Sequence, residues 1–113
     1  MKVLLFVIFL ITFYKFAFSD EEQISDEQQI IAMGDIEYGE YLGSECAACH
    51  HQSGASEGIP SIHGMDAEVF VTLMLAYKSK LMENPVMQMI AGRLNNEQIG
   101  SLALYFSTLD PPK

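Results

Sequence analysis

The chain has two cysteines, separated by two residues and followed at once by a histidine: Cys46-Ala47-Ala48-Cys49-His50. A disulfide between residues this close would close a tiny loop and staple nothing distant. If the pair serves the fold, it must hold something that the rest of the chain wraps around. Two thiols at this spacing can each add to one of the two vinyl groups along one edge of a heme. His50 is then carried under the iron, and the motif reads as c-type heme attachment. To ligate, His50 must be neutral, and its other ring nitrogen needs an acceptor that fixes the tautomer. The competing chemistry is a redox-active or metal-binding Cys-x-x-Cys with an incidental histidine behind it.

A second axial donor would decide the function. A soft thioether favours ferrous iron and raises the potential, and two filled axial positions leave no place for a substrate. His/Met coordination therefore means electron transfer, whereas an open sixth position would admit gas binding or peroxide chemistry. Seven methionines are present, so availability alone selects none of them. Met74 falls in a helical apolar stripe and reads as core. Met65 lies close to the loop under the proximal side, and Met82 sits on a connector. Met87 and Met89 are the serious candidates, two residues apart on a helical turn and so pointing in different directions. Among the histidines, His51 follows the proximal residue too closely to reach the opposite face. His63 reads as a surface histidine, with a hydrogen bond to a heme edge as its alternative role.

These residues need a scaffold of about ninety residues, a marginal size for a hydrophobic core and one that a large apolar plate at its centre would help. The first residues stand apart. Lys2 precedes an apolar run from Val3 to Phe13, and Ala17-Phe18-Ser19 offers small residues for cleavage after Ser19. Residues 1–19 are expected to be a cleaved secretory signal. The run is shorter than the ~20 apolar residues of a spanning helix, and an uncleaved membrane anchor is the alternative. Removing residues 1–19 takes two of six bases and none of fifteen acids, leaving a net charge of −11. Such a protein will not seek nucleic acid or an anionic membrane; it suits a partner with a basic docking patch, and the alternative is that the acidity only keeps an exported protein soluble.

Residues 20–34 are acidic and Gln-rich, and read as a flexible lead-in or a frayed helix rather than a packed element. A helix is expected from Asp35 to about Glu45, with Gly39 and Gly43 forming a small face that another helix could approach closely. Residues 51–64 read as loop. Further helices are expected from Asp66 to about Lys80, from Asn84-Pro85 to about Gly92, and from Asn95, where Gln98 completes a capping box. The class is all-α with long loops.

The sequence resembles the class I, small soluble cytochromes c over Asp35 to Leu109. Gly39-Glu40-Tyr41-Leu42, Cys46 to His50, Gly58-Ile59-Pro60-Ser61-Ile62-His63-Gly64 and Asn84 to Ala91 leading into Leu94 to Ile99 carry the likeness. The last two resemble bacterial diheme cytochrome domains and the cytochrome subunit of flavocytochrome c sulfide dehydrogenase. The resemblance implies three to four helices around one covalent heme c in a domain spanning residues 35–110, with the first and last helices crossing where Gly39 and Gly43 meet Tyr105 and Phe106. It implies that the Pro60 carbonyl accepts from the proximal imidazole and that Met87, rather than Met89, is the distal ligand. Cys46, Cys49, His50, Pro60 and Met87 would bind the heme, and His50 and Met87 its iron. The expected role is a periplasmic electron carrier, not an enzyme. The alternatives are a subunit that drains electrons from a sulfide-oxidising flavoprotein and a heme sensor with an open sixth site. Lys78-Ser79-Lys80-Leu81-Met82 departs from the family, where a Gly and an Arg often precede the distal methionine.

Overall fold

The computed structural model describes residues 24–54 and 58–113; the signal expected over residues 1–19 lies outside them. The described residues form five helices and no strand: α1 (Asp26–Ala32), α2 (Ile36–Ala47), α3 (Ala67–Lys78), α4 (Pro85–Gly92) and α5 (Asn96–Ser107).

Most helix starts follow local side-chain chemistry. The Asp35 side chain accepts from the Tyr38 N–H, Asp66 from the Glu68 and Val69 N–H groups, and Asn84 from the Met87 N–H. Asn95 and Gln98 exchange hydrogen bonds in a capping box at the head of α5. Each supplies acceptors to amides that have no partner inside their helix.

α5 is the centre of the domain. Its Ile99, Leu102, Ala103 and Phe106 are buried, and α1, α2 and α3 all pack on it. α2 makes the closest approach. A Cβ on Gly39 would run into the Ser101 carbonyl, and one on Gly43 would lie 2.8 Å from the Tyr105 ring. Only glycine fits this crossing. The buried Ser101 hydroxyl also accepts from the Asp35 N–H at 2.9 Å, tying the start of α2 to α5.

The lead-in expected over residues 20–34 is corrected for its described part. Ser25 and Gln28 form a capping box, Asp26–Ala32 is helical, and Ile30 is buried against the core. The composition is polar, but Ile30 is buried in the core and Ile31 packs half-buried against it. Gly100 lets the Ile30 carbonyl lie against α5, and Gln28 hydrogen-bonds Glu68 at 3.0 Å. The folded domain therefore begins by Ser25 rather than at Asp35, and this element is the one beyond the three to four helices expected.

The segment between α2 and α3 is loop where described, and its far end is anchored. Ile62 is buried, and the Gly64 N–H donates to the Phe106 carbonyl at 2.9 Å. No helix among the described residues is long and apolar enough to cross a membrane.

Candidate functional site

The motif grows out of the end of α2. Cys46 lies in its last turn, and the chain keeps turning beyond it: the Cys49 and His50 N–H groups both reach the Cys46 carbonyl, at 3.2 and 2.8 Å. The glycine contact with α5 thus sets the position of the whole motif. Cys46 is half-buried and packs against the core, whereas Cys49 is exposed, and both thiols are free. Burial, with the neighbouring Glu45 carboxylate adding to it, pushes the Cys46 thiol above its ordinary pKa, because both disfavour the thiolate.

His50 Nδ1 lies 2.7 Å from the Pro60 carbonyl oxygen. A carbonyl can only accept, so Nδ1 carries the proton and donates it. The lone pair of a neutral imidazole is then left on Nε2. This is the tautomer that a metal-ligating histidine needs, set by an outer hydrogen bond. Buried Ile62 and the Gly64–Phe106 hydrogen bond hold the loop that presents Pro60.

Met87 sits in the first turn of α4, where its N–H donates to Asn84 Oδ1 at 3.0 Å. It is half-buried and packs against the same core as Cys46, while Met89 is 58% exposed. Met74 is buried in the core, as its stripe implies. His63 is half-buried with its ring 5.9 Å from that of Phe106, a packing role that its loop position does not reveal.

No group of three or more His, Cys, Asp or Glu side chains among the described residues is placed to hold a metal ion. Cys46, Cys49 and His50 therefore do not close on one point as a zinc-type cage would. They are spread along one turn, and Leu42, Cys46, Met65, Met87 and Leu94 each pack, half-buried, against the one apolar core. Two free thiols, an imidazole whose Nδ1 is engaged by Pro60, and half-buried apolar side chains on the same core are a set that fits a covalently attached heme. An apolar groove of about 460 Å³ lies elsewhere, along α3, lined by Thr72, Leu75, Ala76, Lys78, Ser79 and Leu81.

Neither protein-family models nor curated proteins return a match to this chain.

Two contacts that hold the site's scaffold have no signature in the sequence. Gln98 Nε2 donates to the Tyr38 hydroxyl at 3.1 Å, bracing α2 against the start of α5. The Lys78 ammonium donates to the Leu94 carbonyl, joining the end of α3 to the turn after α4. Both join residues distant in sequence, and no local pattern signals them.

Proposed function

We propose that this chain is a one-electron carrier of the class I cytochrome c type, built around a single heme c. Cys46 and Cys49 would hold it through thioether bonds, and His50 and Met87 are the residues that would bind its iron. When bound, the heme supplies a one-electron iron couple. The observation that carries the reading is the 2.7 Å contact between His50 Nδ1 and the Pro60 carbonyl. That bond holds the ring orientation and raises the basicity of Nε2.

The remaining residues prepare the site without taking part in bond making. Gly39 and Gly43 let α2 lie close enough to α5 that Cys46 meets the core. Ile62, Phe70, Met74 and Phe106 are buried in the core against which Cys46 and Met87 pack. A dry surround and a thioether donor both favour the less charged, reduced state. Met87 is favoured over Met89 because it packs on the shared core. With His50 and Met87 both bound to the iron, the group would supply electron transfer and leave no place for a substrate. Its setting is the periplasm, and its partners are redox proteins.

Spectroscopy of the oxidised protein tests the ligand set. The wild type should show the Met-to-ferric-iron charge-transfer band, and its reduced form should not bind carbon monoxide. Met87→Ala should abolish the band and admit carbon monoxide, while Met89→Ala keeps the wild-type behaviour. A band that survives Met87→Ala and is lost in Met89→Ala would reverse the assignment.

A further inference from the structure

α2 has a second face that the fold does not use. Among the described helices it packs only against α5, through its Gly39 and Gly43 side. Glu37, Glu40, Tyr41, Ser44 and Glu45 are all exposed. Their spacing follows i, i+3, i+4, i+7, i+8, so they form one stripe along the helix. Tyr41 is 77% exposed, a large aromatic ring framed by three carboxylates. No Lys or Arg occurs from Ile24 to Tyr77 to neutralise them. The stripe ends at Glu45, next to Cys46, and so runs to the edge of the attachment motif.

We infer that this outer face of α2 is the docking surface for a partner protein whose own surface is basic and Arg-rich. The inference deepens the proposed electron transfer and rests on it for the purpose of docking. Its chemistry is complementary at two ranges. The chain carries a net charge of −9 and draws a cationic surface toward it. On contact, a guanidinium can lie over the Tyr41 ring while its N–H groups reach a flanking carboxylate. Tyr and Arg are also the residues that most often anchor protein interfaces. A second copy of the chain would bring like charges together, and an anionic bilayer would be repelled.

Two cationic probes test the surface. The first is hexaamminechromium(III), a paramagnetic trication, followed by broadening of backbone amide signals. Broadening should concentrate on residues 37–45, and it reads docking whether or not a heme is present. The second is tris(phenanthroline)cobalt(III), an aromatic trication that takes one electron from the reduced protein as Co(III) becomes Co(II). Glu37→Gln/Glu40→Gln/Glu45→Gln should slow that transfer about tenfold at low ionic strength, the lower end of electrostatic steering. Asp26→Asn/Glu97→Gln/Asp110→Asn, which has the same net charge, should slow it far less. Tyr41→Ala should slow it several-fold without changing transfer to ferricyanide. Equal effects of the two triple variants, or broadening spread evenly over α1, α2 and the start of α3, would overturn the inference. So would a dimer in sedimentation that Glu40→Gln dissolves, or Tyr41-dependent binding to phosphatidylglycerol vesicles. Chromium broadening on α2 in a protein without heme would keep the surface and refute only the electron-transfer reading.

Discussion

The two sides of the candidate site are held by different forces. On the His50 side, each position has a directional constraint. Glycines fit α2 to α5, the Cys46 carbonyl turns the chain, and Pro60 holds the imidazole at 2.7 Å. On the Met87 side, the backbone is capped by Asn84, but packing alone places the thioether. The connection leading there is also strained. Lys80 has φ +63°, while the Lys80 and Leu81 N–H groups return to the Tyr77 and Ala76 carbonyls. That is a helix-ending turn in which glycine is the usual residue. One side is preorganised by hydrogen bonds and close backbone contact, and the other can shift at modest cost.

Four substitutions or titrations can break or sharpen this contrast. The largest effect is expected for His50→Ala, which should leave no low-spin spectrum and no reversible couple. Met87→Ala should retain a couple at a lower potential. Equal damage from both, by voltammetry, would erase the asymmetry. Gly39→Val should cost about 3 kcal/mol or prevent folding, because its side chain meets the Ser101 carbonyl rather than a movable side chain. Thermal unfolding measures it, and a neutral result would mean that α2 is not locked to α5.

Lys80→Gly should work in the opposite sense, stabilising the protein by about 1 kcal/mol through relief of the left-handed backbone. Unchanged stability in denaturant would remove the strain from the distal side. The smallest effect concerns Cys46 in heme-free protein. Its folded pKa is raised by burial and by Glu45, above the value in the unfolded chain. The stability that this protects is complete below the unfolded thiol's pKa and is lost as pH rises through the folded value. Cys49 should therefore be alkylated before Cys46, and Cys46→Ser should flatten the alkaline loss of stability. Equal alkylation rates would show that Cys46 is not shielded.

The same contrast explains what was legible in the sequence. Caps at Asp35, Asp66, Asn84 and Asn95 are local chemistry, and the helices begin where those residues direct. The small face of α2 was also readable, because two glycines four apart have few other uses in a helix. α1 was not, since its place depends on one isoleucine meeting Gly100, a residue seventy positions away. The Cys46–His50 motif is visible because thiols at fixed spacing have few meanings. The His50–Pro60 contact was expected from resemblance, because spacing alone does not say where a carbonyl will point. Met87 was separable from Met89 only through resemblance, since a thioether in a run of methionines carries no local signature. The Lys78–Met82 stretch departs from the pattern of the cytochromes that the sequence resembles, and Lys80 within it takes a positive φ.

The central claim is that Cys46 and Cys49 carry a heme through covalent bonds. Intact mass after expression with heme-attachment machinery, measured in acid that strips non-covalent heme, tests it most directly. The account predicts a coloured protein heavier than the processed chain by one heme, with Cys46→Ala/Cys49→Ala returning to the bare mass. A colourless wild-type protein at the bare mass would contradict it.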